Sequence, residues 1–462
     1  MENSKNENRT GLTQPFEKNT LGCERYRIPA IITLNDGSIL AAADMRHSHG
    51  QDAPQNLDTL TAHSSDGGKS WQYNKVNHFD DCADGTQSRE SASYNDSALI
   101  QSQKTGRIFI VASAFPSGCG AFKSAKGTGF IGDGKGEKRL AVTDKKGSTN
   151  ISDYKYFVGD FEGDYAKICG AEGYTVDREL NIYLKNEPVY TEQINSGKKV
   201  QQNLFFTSSD FHIFPTCYLV MRYSDDNAKT WSAPVILNPF VKRETETFFG
   251  ICPGRGFVCE AGGRERIIFC AYSLRHAREC TATVYSDDGG LTWQRGSHLS
   301  HSMGLRKSSE SQIIAMPDGR LRIFSRTWAH FAATAESRDG GISWTKLKAD
   351  KELYCTKNCM LSFIALSKKI DGKTVVAGSF ACGGNKRENG VIRLGLADND
   401  GSIEWKSTLR LNSGFFAYSC LTETSFGLLC LFEDEPAHIT LRAFDVEDDC
   451  TLTPQDGVYF DK

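Results

Sequence analysis

The chain has 462 residues, a formal net charge of −3 at neutral pH and a pI of about 6.4. This balance argues against a global attraction to nucleic acid or to an anionic membrane surface, so any affinity for an anion must be local. The 27 phenylalanines, 16 tyrosines and 43 glycines, set against 12 prolines, indicate a globular protein with short strands, tight turns and a buried core.

The start of the chain and its cysteines carry no targeting or metal signal. Residues 1–19 are polar and mixed in charge, and no apolar run approaches the length of a membrane span, so we expect neither a signal peptide nor a transmembrane segment. The cysteine count, 15, is odd, and the chain shows no Cys-x-x-Cys pair and no Cys/His cluster with zinc spacing. We therefore expect mostly free thiols and no metal site.

The first informative stretch runs from residue 25 to residue 71. Its motifs are Arg25-Tyr26-Arg27-Ile28-Pro29-Ala30, Asp44-Met45-Arg46, Gln51-Asp52-Ala53-Pro54 and, at the end, Ser64-Ser65-Asp66-Gly67-Gly68-Lys69-Ser70-Trp71. Arginines with carboxylates between them suit an anion, and the last motif suits a hairpin turn. We interpret the stretch as the first blade of a β-propeller and one wall of an anion site.

The turn motif of that stretch is repeated along the chain. The pattern Ser-x-Asp-x-Gly-x-Ser/Thr-Trp begins at Ser64, Ser286 and Ser337, and it recurs at Ser224 with Ala228 in place of the glycine. A degenerate copy runs from Asp398 to Trp405. In such a box Asp accepts backbone N–H bonds, Gly supplies a positive φ and Trp packs between neighbouring sheets. Three consecutive intervals of 62, 51 and 61 residues each have room for a four-stranded sheet with its loops.

The interval between the first two boxes, 160 residues, is too long for one blade. After a strand-like run at 107–112, residues from about 117 to 205 are rich in Gly, Lys and Asp with short β-like pieces, and we interpret them as an insertion or small β subdomain. Strand-like runs then recur to the end of the chain without a long amphipathic helix. At about 50 to 60 residues per blade, six blades fill the remaining length.

The prediction is therefore an all-β, six-bladed propeller. It covers residues 20–462, contains the inserted segment at about 117–205 and is preceded by an N-terminal extension at 1–19.

The motif at Arg25 to Pro29 resembles the Arg-Ile-Pro motif of the sialidase (neuraminidase) superfamily. Asp-boxes alone are weak support, because unrelated propellers carry them as turns, but boxes downstream of an Arg-Ile-Pro motif are strong support. The resemblance extends from about Cys23 to Glu433. It implies a sialidase-like propeller and an exo-α-sialidase of bacterial or protozoan type.

In that superfamily three arginines bind the substrate carboxylate, and the resemblance assigns them to Arg27, Arg326 and Arg387. Arg326 follows the segment that contains Glu310, and Arg387 opens the run Arg387-Glu388-Asn389-Gly390-Val391-Ile392-Arg393-Leu394. Guanidinium groups suit a planar carboxylate because they present paired donors and keep their charge when desolvated. Glu433 resembles the residue that supports the first arginine.

The resemblance also implies the nucleophile and its base. Tyr418, in Phe415-Phe416-Ala417-Tyr418-Ser419, matches the tyrosine that attacks the anomeric carbon. A neutral phenol avoids the repulsion that the substrate carboxylate would exert on Asp or Glu. Because the ordinary pKa of tyrosine is about 10, attack needs a base, and Glu310 is the matching candidate.

The remaining site residues come from the same comparison of motifs. Asp52 resembles the acid/base, for which a pKa raised by partial burial is expected, while its neighbours Asp44 and Asp58 are much weaker candidates. Arg46 resembles the arginine that contacts the 4-hydroxyl. Asp96 matches an aspartate near that hydroxyl or the N-acetyl group, although Ser97 replaces the usual proline after it.

These assignments imply a retaining exo-α-sialidase that removes terminal α-linked sialic acids from glycoproteins, glycolipids or oligosaccharides through a sialyl-tyrosine intermediate. The implied mechanism needs no cofactor. Alternatives within the chemistry are a trans-sialidase and an intramolecular variant that releases an anhydro sugar. A sialic-acid lectin would keep the arginines and lose the catalytic groups.

The expected partners are sialylated glycans and not nucleic acid. The substrate favours an extracellular or cell-surface location over a cytoplasmic one.

Overall fold

The structure, a computed structural model, describes residues 12–79, 91–192, 197–275 and 278–456. Its regular structure is almost entirely β. The first six strands are β1 (Tyr26–Thr33), β2 (Ile39–Arg46), β3 (Leu57–Ser64), β4 (Gln72–Asn77), β5 (Ser93–Gln101) and β6 (Ile108–Phe115). β2, β5 and β6 are buried along their whole length, and β2 and β6 consist largely of small and apolar residues.

Ten short strands follow before the main fold resumes. They are β7 (Phe130–Gly132), β8 (Lys138–Thr143), β9 (Tyr156–Glu162), β10 (Tyr165–Cys169), β11 (Tyr174–Asp177), β12 (Ile182–Leu184), β13 (Glu187–Pro188), β14 (Tyr190–Glu192), β15 (Lys199–Gln201) and β16 (His212–Ile213). Eight of them form one sheet, and β14 pairs with β15. The division of the chain at 117, 205 and 20 stays a prediction, and residues 1–11 of the expected extension lie outside the described ranges.

Twenty further strands complete the chain. They are β17 (Tyr218–Ser224), β18 (Val235–Ile236), β19 (Phe248–Ile251), β20 (Gly254–Arg255), β21 (Phe257–Ala261), β22 (Arg264–Arg275), β23 (Arg278–Ser286), β24 (Gln294–Arg295), β25 (Ser311–Ala315), β26 (Leu321–Ser325), β27 (Phe331–Ser337), β28 (Lys348–Tyr354), β29 (Leu361–Ile370), β30 (Lys373–Ala381), β31 (Glu388–Ala397), β32 (Ile403–Phe415), β33 (Ser419–Thr424), β34 (Gly427–Glu435), β35 (His438–Val446) and β36 (Leu452–Pro454). Short 3₁₀ turns lie at Thr20–Gly22 and Ile151–Asp153, and helix α1 spans Asn238–Val241. Within the described ranges, no helix is long and apolar enough to cross a membrane.

The prediction of six separate blades is wrong. The segments expected to make the first two blades share one nine-stranded sheet, because β3 and β5 pair in parallel at Leu57 and Ser93 and β20 adds to β5. Four separate blade-like sheets follow it: one of five strands built on β22, and three of four strands each, β25–β28, β29–β32 and β33–β36. The all-β prediction is correct, and the arrangement is propeller-like with four separate blades.

One strand of each of these sheets lies next to one strand of the following sheet. β22 contacts β25, β25 contacts β29, β29 contacts β33, and β33 contacts β1, so the last sheet meets the first. A buried apolar cluster fills the space between β1–β3 and β33–β35. As a result Arg27 at the start of β1, Glu310 just before β25 and Tyr418 just before β33 all lie at the same end of these inner strands.

The predicted turn boxes are confirmed. In the first box the Asp66 carboxylate accepts from Ser64 Oγ at 2.8 Å and from Ser70 N at 3.0 Å. The boxes at Ser224, Ser286 and Ser337 repeat the bond between the serine hydroxyl and the aspartate. Trp293 packs on Phe109 of the nine-stranded sheet and Phe269 of the five-stranded sheet, with ring centroids 5.9 and 5.8 Å away. The boxes therefore form turns at the ends of strands, and the box that ends in Trp293 joins two neighbouring sheets.

Candidate active site

One cavity of about 290 Å³ collects most of the candidate residues. Its lining contains Arg27, Asp52, Asp96, Glu310, Arg326, Arg387 and Tyr418. Arg46 and Glu433 lie behind this wall, each with a fully buried side chain. A larger groove of about 800 Å³ runs past Asp66 and Phe426 and contains none of the nine candidate residues.

Arg27 is held at the cavity by Glu433. Its Nε and Nη2 atoms donate to the two carboxylate oxygens of Glu433, both at 3.1 Å, in a bidentate pair. The backbone N–H of Ile28 donates to the same carboxylate at 2.9 Å, and this requires a φ of +61° at Ile28, a conformation that branched residues rarely adopt. Burial disfavours the charge of Arg27, but Glu433 and Tyr418 outweigh it and keep the pKa of the guanidinium raised.

Arg326 contacts both members of the proposed nucleophile and base pair. Its Nη1 donates to Glu310 Oε2 and, at 2.8 Å, to the hydroxyl of Tyr418. Its Nε and Nη2 donate to Asn358 Oδ1 at 3.0 and 2.5 Å. Burial opposes the charge of this arginine, but the neighbouring carboxylate and phenol outweigh burial and hold its pKa well above the ordinary value.

Arg387 completes the group of arginines and shares a neighbour with Arg326. Its Nη2 donates to the backbone carbonyl of Asn358 at 3.2 Å. Its guanidinium carbon lies 5.3 Å from the centroid of the Tyr418 ring, and that of Arg27 lies 5.6 Å from the same centroid. The three arginines predicted from distant motifs therefore surround one phenol.

Asn358 is a site residue that the sequence motifs did not reveal. It lies in a loop between β28 and β29, has a φ of +55° and contacts two of the three arginines through one side-chain and one backbone oxygen. Asn tolerates this left-handed conformation better than most residues, so a turn-forming residue in a loop was its only sequence signal.

Tyr418 and Glu310 form a buried pair. The phenol donates to Glu310 Oε1 at 2.7 Å, and the residues are 5% and 3% exposed. Burial raises the pKa of Tyr418 well above its ordinary value, with Arg326 opposing this rise and Glu310 adding to it. The phenol is therefore protonated near neutral pH, and its proton already points at a carboxylate oxygen that can accept it.

Asp52 lies on the loop between β2 and β3 and faces Arg46. The distance from its Oδ1 to Arg46 Nη2 is 2.9 Å. Partial burial acts to raise the pKa of this carboxyl, but 68% of the side chain is exposed, and Arg46 and Arg27 outweigh burial and lower the pKa. This differs from the expected raised pKa, because the sequence did not show that the arginine assigned to the 4-hydroxyl would pair with the acid.

Two buried carboxyls lie beneath Asp52. Asp44 is fully buried, accepts from Arg46 Nη2 at 3.0 Å, and has a pKa raised to about 7 by burial, with Arg46 opposing and Asp52 adding to the rise. Asp96 is 7% exposed and has a φ of +58° at a bulge in β5. Burial, with Asp44 and Asp52 adding to it, raises its pKa well above the ordinary value.

Asp58, the other weak candidate, turns away from the cavity. Its carboxylate lies 2.8 Å from His47 Nε2 and accepts from the Phe79 N–H at 3.1 Å. Both contacts are to residues outside the cavity lining. We interpret Asp58 as a structural partner of the loop that carries Asp52.

Aromatic and apolar side chains form the rest of the cavity wall. Phe115, Phe248 and Tyr272 line its depth, and none of them was assigned from sequence. Phe122, 90% exposed, and Trp328, 51% exposed, stand at the rim. Trp328 is the one tryptophan outside the repeated boxes. The cavity therefore combines three arginines with apolar side chains, which suits an anion that also carries apolar groups.

The described residues contain no group of three or more His, Cys, Asp or Glu arranged to hold a metal ion. The cysteines in the described ranges are free thiols.

Comparison with known proteins agrees with this geometry. Residues 187–431 match a family model described as a BNR repeat-like domain. The fold is similar to the crystal structure of the intramolecular trans-sialidase of Ruminococcus gnavus in complex with oseltamivir carboxylate, with a TM-score of 0.82, 30% identity, and coverage of 93% of this chain and 96% of that one. The chain belongs to the sialidase family.

Other sialidases align over most of the chain. The anhydrosialidase of Macrobdella decora is 31% identical over 446 residues, which are 89% of this chain and 58% of that protein. Sialidase B of Streptococcus pneumoniae is 28% identical over 429 residues, which are 86% of this chain and 60% of that protein. The chain thus spans about three fifths of the length of these two relatives.

Proposed function

We propose that the chain is a retaining exo-α-sialidase that uses Tyr418 as its nucleophile and acts on terminal α-linked sialic acids of glycans. The observation that carries the proposal is the hydrogen bond from Tyr418 to Glu310 inside the group formed by Arg27, Arg326 and Arg387. A lectin would need the arginines alone. A buried phenol bonded to a carboxylate supports chemistry in addition to binding.

Substrate binding follows from the three arginines. In the proposed complex the sialic acid carboxylate lies between Arg27, Arg326 and Arg387, whose charges it partly neutralises. Glu433 and Asn358 hold these donors in place before binding, so less ordering is needed when the substrate enters. The anomeric carbon, which carries this carboxylate, is thereby placed above Tyr418.

The first chemical step forms a bond between the Tyr418 oxygen and the anomeric carbon and breaks the bond from that carbon to the leaving oxygen. The phenol proton passes to Glu310, which is 2.7 Å away. The Asp52 carboxyl gives its proton to the leaving oxygen. In the second step water attacks the anomeric carbon from the face that the leaving group had occupied, and the bond from that carbon to the Tyr418 oxygen breaks. Asp52 takes a proton from the water, and the Tyr418 oxygen recovers its proton from Glu310. Two inversions give net retention.

The low pKa of Asp52 in the free protein is compatible with this role. Arg46, Arg27 and Arg387 all act to lower it, and the carboxylate bound at Arg27 and Arg387 would offset part of their effect. Substrate binding therefore raises the pKa of Asp52 toward the value that a general acid needs. Arg46 remains its neighbour, but its contact with a sugar hydroxyl stays a prediction, because its side chain is fully buried behind the cavity wall in the free protein.

A second candidate is intramolecular transfer, in which a hydroxyl of the bound sugar replaces water and an anhydro sugar is released. It is favoured by similarity to the anhydrosialidase of Macrobdella decora and to the intramolecular trans-sialidase of Ruminococcus gnavus. A leech intramolecular trans-sialidase complexed with 2,7-anhydro-Neu5Ac also aligns, at 27% identity and a TM-score of 0.83.

One experiment tests the function and separates these candidates. The protein is incubated with a fluorogenic aryl sialoside and with a sialyl-galactoside, and the sugar product is followed by NMR and mass spectrometry. Retaining hydrolysis gives free sialic acid that appears first as the α anomer, whereas intramolecular transfer gives a product lighter by one water molecule. Free sugar that appears first as the β anomer would contradict a retaining mechanism, and absence of any release would contradict the proposed activity.

A further inference from the structure

The loop that carries Asp52 has few regular backbone bonds of its own. It spans 47–56 between β2 and β3, and its ends meet where His47 N donates to the Asn56 carbonyl at 3.4 Å. On the side facing the arginines, the carbonyl of Gly50 accepts from Arg46 Nη1 at 2.7 Å and from Arg27 Nη1 at 3.3 Å. These bonds fix Gly50 but leave the segment beyond it to be held by other groups.

The side chain of Gln55 supplies that support. It is 1% exposed and contacts three backbone groups of the loop. Its Oε1 accepts from His49 N at 3.1 Å, and its Nε2 donates to the His49 carbonyl at 2.9 Å and to the Gln51 carbonyl. The Gln55 amide thus makes hydrogen bonds to the backbone that a neighbouring strand would otherwise make. All of its partners lie within three residues of Asp52.

The other side of Asp52 is also constrained. Ala53 N lies 3.4 Å from Asn95 Oδ1, and a Cβ at Gly120 would lie only 2.3 Å from the Ala53 carbonyl oxygen. The backbone is therefore confined after Asp52 by packing and before it by Gln55. The acid has few further restraints, because its carboxylate is mostly exposed and pairs only with Arg46 in the described residues.

We infer that Gln55 is a positioning residue for proton transfer by Asp52, an inference that rests on the proposed function and extends it. Gln55 does not line the cavity, so it acts through the backbone at Gln51 and not on the substrate. Proton donation requires the carboxyl within hydrogen-bond reach of the leaving oxygen, and a shift of the backbone beside Asp52 moves it out of reach. Loss of Gln55 should therefore slow proton transfer from Asp52 more than it weakens substrate binding.

The test compares Gln55→Met, which keeps the volume and removes all three hydrogen bonds, with Gln101→Met. Gln101 is a matched control because it is also buried and also bonds two backbone groups, Gly106 O at 2.8 Å and Asn35 N at 2.6 Å, outside the cavity lining. Each variant is assayed on two substrates. An aryl sialoside has a leaving group that departs without a proton, whereas a sialyl-galactoside needs the acid.

For Gln55→Met we expect kcat/KM to fall by about 10-fold or more on the sialyl-galactoside and by less than about 3-fold on the aryl sialoside. Gln101→Met should leave the ratio of the two substrates unchanged. Equal losses on both substrates would overturn the inference, because they would indicate general damage to the fold. No loss on either substrate would overturn it as well.

A second measurement keeps the inference testable if the wild-type protein releases no sugar, an outcome that would refute the proposed function separately. Amide hydrogen exchange is followed by mass spectrometry in a peptide covering 47–56. We expect faster exchange there in Gln55→Met than in the wild type or Gln101→Met. Unchanged exchange in this peptide would show that Gln55 does not hold the loop, whatever the activity of the protein.

Discussion

The hydroxyl of Tyr418 donates to Glu310 Oε1 at 2.7 Å while Arg326 donates to the same hydroxyl at 2.8 Å and to the other oxygen of Glu310. The three groups form a closed set of hydrogen bonds, and Tyr418 and Glu310 are almost fully buried. This geometry gives the phenol proton one defined acceptor. It also places a positive charge beside the oxygen that, in the proposed mechanism, becomes negative during attack.

Replacing Tyr418 by Phe removes the attacking oxygen and little volume. We expect kcat/KM on an aryl sialoside to fall by at least about 10³-fold, because the residual activity would depend on binding and the acid alone. The control is Tyr218→Phe, which removes another fully buried hydroxyl, one that donates to the Phe214 carbonyl at 2.8 Å outside the cavity lining. Near-wild-type rates in Tyr418→Phe would rule out the tyrosine as nucleophile.

Replacing Glu433 by Gln leaves Arg27 as a buried charge without its carboxylate. We expect unfolding by denaturant to show a loss of about 3 to 5 kcal/mol, as when one partner of a buried ion pair is removed. Glu246→Gln is the matched variant, since Glu246 is equally buried and accepts from Arg295 at 2.8 Å in a bidentate pair. Both variants should lose stability, but a raised KM for sialosides is expected only in Glu433→Gln. A raised KM in both would argue against a specific support of Arg27.

The buried carboxyl of Asp44 should make the free energy of unfolding depend on pH. Its folded-state pKa is about 7, above the ordinary 3.8, because burial disfavours its charge. Between these two values the unfolded chain releases a proton that the folded chain keeps, so this residue lowers the stability as pH rises through the window. The free energy of unfolding of Asp44→Asn minus that of the wild type should therefore increase from about pH 4 to pH 7 and then level off. Parallel pH curves for the two proteins in urea unfolding would contradict this.

Asn358 separates the effect of a side chain from that of a backbone conformation. Asn358→Gly keeps the left-handed φ without strain and removes the oxygen that Arg326 contacts at 3.0 and 2.5 Å. We expect KM to rise by about 10-fold with a smaller change in kcat, because charge-assisted bonds hold an arginine that, in the proposed complex, binds the substrate before and during reaction. Asn358→Ala should show the same rise in KM and a further loss of stability. A normal KM in Asn358→Gly would mean that Arg326 does not need this support.

Much of the site could be anticipated because its chemistry restricts residue types. Arg27 and Tyr418 stand in short motifs at opposite ends of the chain, and the structure brings them together at the same end of β1 and β33. The Asp-boxes were predictable for a similar reason, since a turn with a positive φ and a carboxylate acceptor allows few residues. The catalytic roles of these residues stay predictions until they are measured.

Other features depend on contacts that no local pattern records. The union of the first two expected blades rests on one parallel pairing, Leu57 with Ser93, which residue spacing does not indicate. The lowered pKa of Asp52 depends on the side-chain conformation of Arg46. The contacts of Asn358 with the arginines depend on the path of the loop that carries it. Such features arise from tertiary packing and required the structure.

The most direct test of the account is to identify the residue that becomes covalently attached to the sugar. The protein is treated with a 3-fluorosialosyl fluoride, whose fluorine next to the anomeric carbon slows release of the intermediate, and is then digested and sequenced by mass spectrometry. We predict that the peptide containing Tyr418 carries the fluorosialyl group on the phenol oxygen and that Tyr418→Phe carries none. Attachment to a carboxylate such as Asp52 or Glu310 would contradict it, as would turnover of sialosides by a protein that never becomes labelled.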